Sequence, residues 1–112
     1  MPYTIIFSPE ARRTIEKIRA YDRARILDAI ERHLRDAPTK TSRSRIKALR
    51  DIRHPQYRLR IGELRVFYDV TGDCVEVLAV VDKAEAAAWL ERWAIGPKRQ
   101  GGSDESCPTI TS

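Results

Sequence analysis

The sequence predicts an α+β domain: an N-terminal strand, an antiparallel helix pair, a three- to four-stranded antiparallel sheet and a short C-terminal helix. Three observations carry this. Apolar residues recur at helical spacing between residues 9 and 34, and two-residue alternation in Tyr57–Ile61 and Leu64–Val70 leads, across glycine turns, into the nearly all-apolar run Val75–Val81. A second helical stretch then opens at Asp82. This order places helices against one face of a twisted sheet.

Tyr3 to Phe7 is β-branched and aromatic, with Tyr3, Ile5 and Phe7 on one side, as a strand requires. Ser8-Pro9-Glu10 is a helix start: Ser8 as N-cap, Pro9 at the first helical position, Glu10 near the positive helix end. Ala11, Ile15 and Ile18 make the buried stripe of that helix. Tyr21-Asp22 interrupts the pattern, and Asp22 is placed to cap a second helix with the stripe Leu27, Ile30 and Leu34, Ile26 beside it. Pro38 disfavours helix at Ala37 and stops it.

Thr39 to Ser44 is polar and loop-like. Four strands follow: Ile46 to Leu49, Gln56 to Ile61, Leu64 to Val70 and Cys74 to Val81, with Gly62-Glu63 and Thr71-Gly72-Asp73 as hairpin turns. Val75 to Val81 is nearly all apolar, which marks a central strand covered on both faces. Asp82 caps a last helix, Lys83 to Trp93, where Trp89 and Trp93 are packing residues. Residues 1–96 form one domain, and 97–112, rich in Lys, Gly, Ser, Asp, Thr and Pro, form a flexible polar tail.

The chain has 112 residues, a formal net charge of +5 and 42% apolar content, enough for one core and no second domain. No apolar run approaches the roughly 20 residues that span a bilayer, and the first residues lack the pattern of a signal peptide. Cys74, in a core strand, and Cys107, in the tail, are expected as free thiols in a reducing compartment. A cytoplasmic location follows. Glycine-rich phosphate loops, zinc-type Cys/His spacing and Mg²⁺-type acidic clusters are all absent from the sequence, so the expected function uses neither metal nor cofactor.

The positive charge is concentrated. Lys40, Arg43, Arg45, Lys47, Arg50, Arg53, Arg58, Arg60 and Arg65 crowd one segment that holds only Asp51 and Glu63 as acids. In Tyr57-Arg58-Leu59-Arg60-Ile61 both arginines share a face. Fixed cations on a sheet point to a polyanion, above all nucleic acid, although a solvated outer face gives the same pattern. Guanidinium groups donate paired hydrogen bonds to phosphate and stabilise the charge that develops on it during cleavage. In RNA the 2′-hydroxyl is its own nucleophile. Tyr57, Phe67 and Tyr68 are the aromatics available to stack a base, while the phase of Tyr68 with Val66 and Val70 favours core.

Several segments together resemble the RelE/ParE superfamily of toxins from bacterial type II toxin–antitoxin systems, more the RelE branch than the ParE branch. They are Arg45-Ile46-Lys47-Ala48-Leu49-Arg50, Gln56 to Ile61, Leu64 to Val70, the valine-rich strand ending in Asp82-Lys83, and the opening Ile5 to Ala11. The resemblance spans about residues 3 to 93. It implies a toxin held by a cognate antitoxin, acting on the ribosome as an mRNA endoribonuclease by 2′-hydroxyl attack, and meeting operator DNA only through the antitoxin. A ParE-type inhibitor of DNA gyrase and a catalytically weak co-repressor are the alternatives. By position, the resemblance assigns catalysis to Arg58, Arg60, Arg65 and Lys83, and RNA contact to Lys47, Arg50, His54 and Tyr68. Two departures stand out. Arg58 and Arg60 occupy positions where the family's base is often a lysine, and arginine keeps its proton, which leaves Lys83 or His54 to substitute. Trp89 and Leu90 stand where a tyrosine is expected on the last helix.

Overall fold

The computed structural model describes residues 2–49 and 54–95. The expectations for Arg50, Arg53, Cys107, the side chain of Trp93 and the tail fall outside the described residues. The elements run β1 (Thr4–Phe7), α1 (Pro9–Lys17), α2 (Ala20–Ala29) with a π-helical turn Ile30–Leu34, β2 (Ile46–Ala48), β3 (Tyr57–Ile61), β4 (Leu64–Thr71), β5 (Cys74–Asp82) and α3 (Lys83–Ile95). The α+β class stands. The first strand joins the others, giving a five-stranded sheet of order β1-β5-β4-β3-β2 in which β1 runs parallel to β5 and the remaining pairs are antiparallel.

Local chemistry explains the helix boundaries. The Ser8 side chain accepts from the Ala11 N–H at 3.0 Å, as an N-cap should, and Pro9 follows at the first helical position. Asp22 does not cap α2. The cap is Arg19, without a side-chain hydrogen bond, and Asp22 lies in the first turn. Arg23 instead closes the end of α1, donating to the carbonyls of Ile15, Glu16 and Ile18. Those carbonyls are groups a helix end leaves without a partner. Asp82 caps α3, accepting from the Glu85 N–H at 3.2 Å.

One core lies between the sheet and the first two helices, built from Ala11, Ile26, Ala29, Ile30 and Leu34 against Ile46, Leu59, Ile61, Val66, Tyr68, Val75, Val77 and Val80. The stripe of α2 is therefore Ile26, Ala29 and Ile30, while Leu27 stays 39% exposed. A second core lies on the other face, where Trp89 and Leu90 of α3 cover Phe67, Leu78 and Ala79. The expectation that all helices share one face is thus corrected. Residue alternation along β4 sends Val66 and Tyr68 one way and Phe67 the other, and an apolar residue on each side needs a helix on each side.

An irregularity in β5 assists this. Phe67 pairs with Ala79 and Tyr68 with Val77, so Leu78 is an extra residue. The Ser8 hydroxyl donates to the Leu78 carbonyl at 2.7 Å, supplying a partner at the bulge. Cys74 is buried and disulfide-bonded, so the free-thiol expectation fails there, and with it the thiol argument for a reducing compartment. No described helix is long and apolar enough to cross a membrane.

Candidate nucleic-acid interface

Side chains that leave a sheet on the same face sit in rows across it. One row runs Lys47, Arg58, Phe67, Ala79, and the next runs Arg60, Arg65, Val81. The face is that of the second core, with Phe67 under Trp89. Their rings stack at 4.9 Å and 5° between planes, and the Trp89 indole N–H donates to Glu10 at 2.9 Å. Trp89 is thereby a packing residue, and α3 occupies the β4–β5 side of the face. The basic side chains occupy β3 and the β2 edge beside it.

Arg58 is the central member. Its Nε is buried and meets no acceptor among the described residues. Burial, then the charges of Arg65 and Arg60, pull its guanidinium below the usual arginine range. A guanidinium starts so high that it remains protonated, so the shift measures discomfort and not loss of charge. Arg65 is 6% exposed and turns one nitrogen, Nη1, onto the carbonyls of Gly62 (2.9 Å) and Leu64 (3.0 Å). Arg60, directly opposite Arg65, is exposed, as are Lys47 and Lys83. Like charges facing across a strand pair repel. No carboxylate of the described residues lies in salt-bridge range of Arg58, Arg60, Arg65, Lys47 or Lys83.

The turn between β3 and β4 fixes the far end of these rows. Gly62 has φ +58°, and a Cβ there would stand 2.5 Å from the Arg25 guanidinium. The Lys83 N–H donates to the Glu63 carbonyl at 2.6 Å, which ties the start of α3 to the same turn. Lys83 therefore joins the Arg60–Arg65 end.

His54 belongs to the opposite end. Its Nδ1 lies 2.7 Å from Oδ2 of Asp69, and the other carboxylate oxygen accepts the Gln56 N–H at 2.7 Å. Asp69 follows Phe67 and Arg65 in alternation, so its carboxylate leaves β4 on the arginine face. Asp69 is a site residue that the basic pattern of the sequence does not pick out. An acid in phase with Arg65 and Phe67 inside an apolar strand was the available signal.

Tyr68 is corrected. It is fully buried on the opposite, helix-covered face, stacked on Tyr57 at 5.5 Å, with its hydroxyl donating to the Pro38 carbonyl at 2.6 Å. Burial raises its phenol well above the ordinary range. It has no surface to offer a base. Arg50 lies outside the described residues.

A model of the ParE toxin of type II toxin–antitoxin systems matches residues 5–87, which takes in β1 through most of the sheet and the start of α3. The chain belongs to this toxin family, within the RelE/ParE superfamily. A search of curated proteins gives no match. Among solved structures, the toxin is similar to a chain of the RelBE2 toxin–antitoxin complex of Mycobacterium tuberculosis, at 25% identity and TM-score 0.61, over 73% of this chain and 99% of that one. A chain of the RelB–RelE complex of Methanococcus jannaschii shares the fold at 20% identity and TM-score 0.59, over 75% and 96%. The free Escherichia coli toxin RelE, in a mutant form with two arginines changed to alanine, shares it at 19% identity and TM-score 0.51, over 85% and 96%.

Proposed function

We propose that the toxin is a metal-independent mRNA endoribonuclease that acts on the ribosome, with Arg58, Arg60 and Arg65 as its phosphate-handling groups. One observation carries the reading. Arg58 sits half-buried beside two further arginines, with a buried N–H that meets no acceptor among the described residues. A fold tolerates such an arrangement where a ligand completes it, and a phosphodiester has the charge and the paired oxygens to do so. Arg60 and Lys47 flank the site as exposed cations that hold the message backbone, and Lys83 stands at the end where a leaving oxygen would need a proton.

The partner follows from the same charge. The solved relatives from Mycobacterium tuberculosis and Methanococcus jannaschii are complexes of toxin with antitoxin. We infer a cognate antitoxin here, with acidic side chains that reach the basic rows and neutralise the toxin, and operator DNA reached only through that antitoxin. The cytoplasm, where ribosomes and message meet, is the compartment this function requires.

The test is cleavage of a message on ribosomes with an empty A site, mapped by primer extension. The wild-type toxin is expected to cut, and Arg58→Ala to cut at least 100-fold more slowly, roughly the usual cost of one preorganised donor. A second reading, inhibition of DNA gyrase, is favoured by the match to the ParE model. Loss of gyrase supercoiling with the message left intact would replace the first reading by the second.

A further inference from the structure

We infer that His54, held by Asp69, is the group that takes the proton from the attacking 2′-hydroxyl. The inference rests on the ribonuclease reading and supplies what that reading lacks, a proton acceptor. Arg58 and Arg60 keep their protons and cannot serve. Lys83 stands at the wrong end of the rows, tied through its backbone to the β3–β4 turn.

The geometry of the pair is that of an oriented base. A carboxylate can only accept, so the 2.7 Å contact puts the proton of the neutral imidazole on Nδ1 and leaves the Nε2 lone pair as acceptor. Asp69 is itself held, because its second oxygen accepts the Gln56 N–H, and Gln56 in turn accepts the Val70 N–H at 2.8 Å. The carboxyl is 12% exposed and the imidazole 38%, so the orienting group is buried while the base reaches solvent. Once His54 is protonated, the same carboxylate stabilises the imidazolium.

Placement along the sheet agrees. Arg58 faces Phe67, one diagonal step from Asp69, or about 7–8 Å between backbones. Arg65 is four residues from Asp69 along β4, about 13 Å at the usual rise. A phosphate on Arg58 therefore has the His54–Asp69 pair on one side and the Arg60, Arg65 and Lys83 group on the other. Attack and departure from opposite sides of phosphorus need that arrangement. In the step, the O2′–H proton passes to His54 Nε2 and the O2′–P bond forms. The P–O5′ bond breaks with its electron pair on O5′, which takes a proton from Lys83 or water. The products are a 2′,3′-cyclic phosphate and a 5′-hydroxyl. Asp69 touches no reacting atom and is a positioning residue.

The experiment is single-turnover cleavage of ribosome-bound message by the full-length toxin, with the affinity for a message blocked by 2′-O-methyl at the cut site measured in parallel. His54→Ala is expected to lower the rate by about 10²–10⁴-fold. Its affinity for the blocked message should stay within about twofold, the rate changing alone as for a group that acts only in the transition state. Added imidazole is expected to restore part of the rate. Asp69→Asn should lower the rate by about tenfold at unchanged affinity, in the range of a removed supporting contact. Asp69 also holds Gln56, so thermal melting checks that variant, and His54→Ala carries the test if it does not fold. Wild-type rates in His54→Ala would overturn the inference and leave the ribonuclease reading intact. A slow His54→Ala whose affinity falls in proportion and which imidazole does not rescue would make His54 a message contact, which also overturns it. A wild-type toxin that cuts nothing would remove the ribonuclease reading, and this inference with it.

Discussion

Arg58 is held in surroundings that disfavour it. Its charge is partly desolvated, lies near two like charges, and has no acid among the described residues to offset them. Residues kept for folding are seldom arranged this way, since an apolar side chain of similar length would be easier to hold. Replacing Arg58 by methionine is therefore expected to raise the melting temperature by roughly 4 °C, which about 1 kcal/mol produces in a domain of this size. The same change should abolish cleavage. A matched melt in phosphate should stabilise the wild type more than the variant. A fall in melting temperature for Arg58→Met would mean the guanidinium is a structural group, and the case for a phosphate site would lose its main support.

At the scale of elements, Ser8 connects three of them. It follows β1, caps α1 and donates to the extra residue of β5. Ser8→Ala removes the cap, worth about 1 kcal/mol, and strands the Leu78 carbonyl, worth about 1–3 kcal/mol. Urea denaturation should show a loss of about 2–4 kcal/mol with unchanged slope. The cap itself was readable, because Ser-Pro-Glu before an apolar stripe is local chemistry. The second bond was not, since Ser8 and Leu78 are 70 residues apart. The same division runs through the site. Alternation placed Arg58 and Arg60 on one face, and the hairpin after them brought Arg65 opposite Arg60. The His54–Asp69 contact depends on how the chain enters β3, which no local pattern records. Tyr68 and Phe67 are adjacent aromatics with opposite fates, and only the position of the helices decides which of them lies in which core.

For the molecule as a whole, the two cores are joined through the sheet but closed by different helices. Trp89 is the main closure of the smaller one, 4% exposed on Phe67 and bonded to Glu10 of α1. Trp89→Ala is expected to cost about 3–5 kcal/mol, the usual range for a buried aromatic, and to remove the near-ultraviolet dichroism of the stacked rings. A loss below about 1 kcal/mol would mean that α3 is barely docked on the sheet, outside that usual range. The bulge in β5 has a further consequence for chain length. Val75 and Val77 face the larger core before Leu78, and Val80 faces it after, a spacing that steps from even to odd. Deleting Leu78 would close that spacing to two, leaving the three valines in phase but taking one apolar side chain from the smaller core, whereas inserting a residue there with the bulge kept would put Val75 and Val77 out of phase with Val80. Reading β5 by strict alternation from either end therefore assigns the other half of the strand to the wrong side of the sheet.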